Sequence, residues 1–100
     1  MELQMNYGTF QESGAEVIAL AVAPVTSVDG VRQTTRATYP MLADHAHEVA
    51  TAYGIYSLLG DGLAAPAVFV IETDGRIVWS HVGWSSSDRP SVQTILEHLP

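Results

Sequence analysis

Residues Leu63–Gly83, reading LAAPAVFVIETDGRIVWSHVG, constrain the fold more than any other part of the chain. Ala67–Ile71 is apolar throughout, the pattern of a strand covered on both faces. Thr73-Asp74-Gly75 is a turn signal, with Gly75 able to take the positive φ a hairpin needs. Ile77–Val82 then alternates, giving one dry and one wetter face. Pro66 stands at the first position of the leading strand, where a missing backbone donor is tolerated.

The flanking sequence supplies the other elements. Leu3, Tyr7 and Phe10 share one helical face, so the spacing predicts a helix from about residue 2 to 13 that stops at Gly14. Glu16–Ala23 reads as a buried strand. Ser27 or Asp29 is the expected cap of a weak second helix reaching Thr38, with Gly30 and a Thr pair lowering its propensity. Tyr39–Asp44 reads as a short extended piece, and Asp44 as the cap of a helix burying Ala46, Val49, Ala50 and Tyr53 and ending at Gly54. Ser57–Ala64 reads as a loop. After a polar turn at Trp84–Ser87, Asp88 is the expected cap of a last helix, with Pro90 in its first turn and Val92, Ile95, Leu96 and Leu99 as its stripe. Helices between strands call for an α/β sheet with parallel crossovers, closed by an antiparallel edge.

Composition narrows the function classes. One hundred residues suit one domain, here 1–100, and 47% hydrophobic with 15% charged argues for a packed globule. Net charge is −7, and Arg32, Arg36, Arg76 and Arg89 form no stripe, which disfavours nucleic acid and anionic membrane as partners. The apolar run Val17–Val25 is too short to span a bilayer and no signal peptide is read, so the expected location is cytoplasmic. There is no cysteine.

Other chemistry-bearing residues have simpler readings. Asp44, His45, His47 and Glu48 have ligand chemistry, but the two histidines sit two apart near a helix start and diverge, so the cluster reads as a helix cap and no metal or other cofactor is expected. His81, in phase with Trp79, reads as a half-exposed sheet histidine rather than a proton relay, and Trp79 and Trp84 as sheet and rim packing. Ser85–Ser87 lack a G-x-S-x-G setting, and Gly54, Gly60 and Gly62 form no phosphate loop.

The proline–strand–turn–strand unit, with YGTFQESGAEVIALAV before it and YPMLADHAHEVATAYGI between, resembles the redoxin group of the thioredoxin fold, the alkyl hydroperoxide reductase and thiol-specific antioxidant proteins and their relatives. The resemblance covers essentially the whole chain. It implies a thioredoxin-like three-layer sandwich, with a mixed sheet, a C-terminal hairpin and a final helix. It implies that Ala65-Pro66 is the family's cis-proline site, a substrate groove beside the catalytic cysteine.

The resemblance also implies a strand and a cysteine-bearing loop ahead of the first helix, so that the cysteine falls just upstream of Met1 and the domain is N-terminally incomplete. That strand would lie between Glu16–Ala23 and Ala67–Ile71. The implied activity is reduction of peroxides or disulfides with a thiol reductant, the chain alone being silent for want of a cysteine. Typical peroxiredoxins carry an arginine near the start of the AVFVI strand, where this chain has Ala65 and Pro66; that is closer to thiol–disulfide reductases or looser peroxiredoxin-like proteins. A second reading is a non-catalytic binding or self-association module. It predicts either a homodimer with shared strands or direct pairing of Glu16–Ala23 with Ala67–Ile71.

Overall fold

The computed structural model describes residues 2–85 and 87–100. The opening helix is split into Glu2–Met5 (α1) and Tyr7–Glu12 (α2), the break falling at Asn6 with φ −108° and ψ 6°. Asparagine offers its backbone alternatives to the helix ladder, which is why the expected single helix is interrupted there. Gly14 takes φ 79°, and the Ala15 N–H returns to the Phe10 carbonyl at 2.9 Å, closing the helix end.

The strand expected over Glu16–Ala23 is only Ala19–Ala21 (β1). Its parallel partner Met41–Ala43 (β2) sets that length, with Ala19 opposite Met41 and Ala21 opposite Ala43. Between them runs Val25–Thr35 (α3), capped by Pro24 rather than by Ser27 or Asp29. Both of those residues lie inside the helix, and Asp29 pairs instead with Arg32 at 2.7 Å and Gln33 at 2.8 Å. The helix stops short of Thr38 because Arg36 turns left-handed, with φ 55°.

Glu48–Ala52 (α4) is held by Asp44, whose carboxylate accepts the Val49 and Ala50 N–H groups at 3.2 and 2.8 Å. Asp44 thus caps as expected. Ala50 is buried; Ala46, Val49 and Tyr53 are not. Gly54, with φ 74°, ends the helical run.

Ala67–Ile71 (β3) and Ile77–Val82 (β4) form the expected antiparallel hairpin, with Gly75 at φ 93° in its turn and a bulge after Val70. Val92–Glu97 (α5) is capped by Ser91, whose hydroxyl accepts the Thr94 N–H at 3.1 Å. Asp88, the expected cap, is turned back toward β4, and Pro90 precedes the cap.

The expected single mixed sheet is two: β1 with β2, and β3 with β4. No ladder joins β1 to β3, so the direct pairing of these strands does not form. The core gathers Phe10, Val70, Val92 and Ile95, with Leu3, Val17, Val68, Trp79, Leu96 and Leu99 packed around them. It is a sandwich of α2 and α5 on one face of β3. The stripe read for the last helix is this core's α5 contribution.

Candidate functional site

Ala65-Pro66 enters β3 from a loop whose conformation is fixed by its own hydrogen bonds. Ser57 N–H reaches the Leu63 carbonyl at 2.7 Å, and Ser57 Oγ accepts the Gly62 N–H at 3.1 Å. Ala65 N–H then donates to the Ile55 carbonyl at 2.9 Å, and Ala65 is only 4% exposed. Pro66 is half-buried and its carbonyl accepts the Gly83 N–H at 2.7 Å.

The Ala65–Pro66 peptide is trans, not the cis form expected. An X–Pro bond favours trans by about 0.5–1 kcal/mol unless its surroundings select cis. Here the bonds to Ile55 and Gly83 fix the dipeptide in line with β3, and trans satisfies them.

Gly83 links this dipeptide to a second cluster that sequence reading did not assemble. Asp88 accepts the Trp84 N–H at 2.9 Å and lies 3.0 Å from His81 Nε2. The N–H of Trp84, followed by His81, holds the Asp88 carboxyl below the ordinary carboxylate range. His81 is the half-exposed sheet histidine expected, now clasped to the loop after β4. Trp84 is 81% exposed, against the rim burial expected, whereas Trp79 packs on the core and stacks on His98 at 4.3 Å. Ser85 Oγ and Ser87 Oγ lie 3.3 Å apart; Ser86 lies outside the described residues. No local signal links a strand histidine to an aspartate seven residues on, which is why the pair went unread.

The clasp has a pH consequence. A carboxyl with a depressed folded pKa contributes stability that is present above its unfolded value, about 3.9, and is lost as pH falls through the folded one. Asp88→Asn is therefore expected to lower the melting temperature near neutral pH, with the gap to wild type closing as pH falls below the ordinary carboxylate range. Thermal melts across that range check this; a gap unchanged by acid would show that the carboxylate charge plays no part.

The histidine cluster is spent on local structure. His47 stacks on Tyr56 at 3.7 Å and its Nδ1 meets Thr51 Oγ1 at 2.9 Å, while His45 is exposed. Among the described residues no three His, Asp or Glu side chains gather as a metal site would require. A hollow of about 120 Å³ lies on α3 and the β1–β2 pair, lined by Leu20, Val28, Val31, Met41 and Leu42. That is smaller than the roughly 300–1,000 Å³ of small-molecule sites, and neither Ala65 nor Pro66 lines it. Among the described residues no helix is long and apolar enough to cross a membrane.

Comparison with known proteins places the chain in a family and a fold. Residues 1–80 match the model of the AhpC/TSA family. A curated relative, alkyl hydroperoxide reductase C of Pseudomonas aeruginosa (strain UCBPP-PA14), is 33% identical over 76 residues, covering 72% of this chain and 40% of that protein. Among solved structures, AhpC of Enterococcus faecalis superposes with a TM-score of 0.80 at 22% identity, over 96% of this chain and 59% of the other. Mycobacterium bovis AhpC gives 0.80 at 18% identity, over 93% and 55%. The fold is thus α/β and thioredoxin-like, and the chain spans roughly half the length of the relatives it matches.

Proposed function

Because the chain belongs to the AhpC/TSA family, we propose that it serves a thiol-dependent antioxidant reaction, the reduction of a peroxide or a disulfide with a thiol as reductant. The observation that carries this reading is the family match over residues 1–80. In such chemistry a cysteine thiolate takes one peroxide oxygen, the O–O bond breaks, and water or an alcohol leaves. The sulfenic acid so formed condenses with a second thiol to a disulfide. The 100 residues contain no cysteine, and neither serine nor water replaces a thiolate in that cycle.

The chain's own contribution is the scaffold and one wall of the groove. Pro66 supplies the accessible surface, with buried Ala65 behind it. Gly83 fixes the dipeptide's height through its bond to the Pro66 carbonyl, and the Asp88–His81 clasp sets the loop beside it. The reacting thiolate comes from a residue outside these 100. The cytoplasm suits the reading, since its reductant pools keep such thiols reduced.

The test is a peroxidase and disulfide-reductase assay on two proteins. One is the chain itself. The other is a chimera carrying, ahead of Met1, the segment of the P. aeruginosa relative that precedes the matched region. Turnover is expected in the chimera alone, and to fall when its added cysteine becomes serine. A silent, folded chimera would overturn the proposal.

A further inference from the structure

The loop that delivers Ala65 and Pro66 to β3 is tied to α4 twice. One tie is backbone: Ile55 N–H bonds the Ala50 carbonyl at 2.9 Å. The other is side chain: the Tyr56 ring lies on the His47 ring, with 3.7 Å between centroids and 9° between planes. Tyr56 and Ala64 then face each other in an antiparallel bridge, and the Ile55 carbonyl accepts the Ala65 N–H at 2.9 Å. Among the described residues the hydrogen bonds of 57–64 stay inside the loop, joining Ser57 to Gly60, Gly62 and Leu63, and Leu63 to Asp61. They give the loop a shape, whereas the ties to α4 give it a position.

The backbone does not explain a histidine at 47. Its φ is 51°, a left-handed conformation that glycine or asparagine adopts more cheaply. Nor does His47 cap α4, because its side chain makes no cap bond and Asp44 takes the Val49 and Ala50 N–H groups. The imidazole is instead held over Tyr56, with Nδ1 at 2.9 Å from Thr51 Oγ1. Ser57, directly after Tyr56, is left-handed too, again with φ 51°. Non-glycine residues persist in such conformations where their surroundings over-determine them. Here each half of the stack carries one.

We propose that His47 and Tyr56 are positioning residues for the Pro66 wall, their stack setting where the loop delivers Ala65 to β3. A displaced Tyr56 carries Ile55 with it, and with Ile55 the acceptor of the Ala65 N–H. Ala65 is 4% exposed and the next carbonyl, that of Pro66, is bonded to Gly83 at 2.7 Å, so the dipeptide feels the shift directly. The stack's effect on turnover rests on the thiol-dependent reading; its effect on the dipeptide does not.

Hydrogen exchange of the full chain reads the effect on the dipeptide. Tyr56→Leu keeps an apolar side chain and removes the stack, so the Ala65 amide should exchange roughly two- to tenfold faster, the range of one aromatic pair. The Ile95 amide, bonded to the Ser91 carbonyl in α5, should keep its rate. His47→Gly relieves the left-handed backbone but removes the ring, and should accelerate Ala65 as Tyr56→Leu does. Tyr56→Phe keeps a ring and should restore the wild-type rate. In the chimera, Tyr56→Leu should raise the KM for hydrogen peroxide or oxidised glutathione, whichever is turned over, by roughly the same factor, with kcat unchanged because the wall carries no reacting atom. An unchanged Ala65 rate in Tyr56→Leu or a wild-type rate in His47→Gly would overturn the proposal. So would equal acceleration at Ile95, which would make the stack a support of the whole fold, or an active chimera whose KM ignores Tyr56→Leu. A chimera silent in every form would remove the thiol-dependent reading alone, and the Ala65 rates would still decide the role of the stack.

Discussion

Replacing Phe10 with alanine should remove about 3–5 kcal/mol of stability, a large share of the roughly 5–15 kcal/mol that holds a domain of this size together. Phe10 is 2% exposed and is the point where α2 meets β3 and α5, in contact with the cluster of Val70, Val92 and Ile95. Its loss takes away the transfer free energy of the ring and leaves a hole that short elements cannot close. Among the described residues α2 and α5 are six residues each, too short to be stable without tertiary packing. At about 4–8 °C per kcal/mol, the melting temperature should fall by roughly 12–40 °C. Circular dichroism melts measure it. A fall of less than about 5 °C would mean that the core does not turn on this residue.

The same residue shows where the sequence was legible. Phe10 lies on the face spaced by Leu3, Tyr7 and Phe10, and Val92, Ile95, Leu96 and Leu99 recur at helical spacing, so both sides of the core were readable from periodicity. The bounds of the hairpin strands were readable to the residue, from an unbroken apolar run, an Asp-Gly turn and an alternating run, whereas the bulge that shifts the register after Val70 was not. The family resemblance rested on the same segments.

What could not be read depends on partners distant in sequence. Glu16–Ala23 is apolar enough for a long strand, yet β1 is as long as β2 allows, and β2 is bounded by Pro40 and by the turn at Asp44. Pro24, not Ser27, stands at the start of α3: its backbone carbonyl accepts the Ser27 and Val28 N–H groups, and no side chain caps the helix. At the candidate site, Ala65 and Pro66 were found by resemblance, but their trans geometry and their tie to Gly83 belong to the loop that meets them. Asp88 looked like a helix cap by residue type; three-dimensional proximity gave it to His81 and the Trp84 amide, while Ser91 took the cap.

That tie makes Gly83→Ala the second large effect. Gly83 is buried, and a β-carbon there would stand 2.3 Å from the Asp88 carbonyl oxygen and 3.2 Å from the Asp88 β-carbon. Its φ is not in the left-handed region, so the constraint is space and not backbone conformation. The obstructing atom is backbone and cannot rotate aside as a side chain would. Gly83 cannot simply retreat either, because its N–H is committed to Pro66 at 2.7 Å. The methyl group must therefore either part Gly83 from Pro66 or push Asp88 off the Trp84 N–H and His81. Overpacking of this kind costs about 1–3 kcal/mol, a fall of roughly 4–24 °C in melting temperature. A double-mutant cycle with Asp88→Ala separates the two routes. If Asp88 yields, its bonds are already lost in Gly83→Ala, and the double variant should be less destabilised than the two single losses added. If the Pro66 bond yields, the two losses should add, and the amide of Gly83 should exchange faster in Gly83→Ala while that of Trp84 does not. A melting temperature unchanged by Gly83→Ala would show that the loop after β4 is not held against the Pro66 end of the hairpin at all.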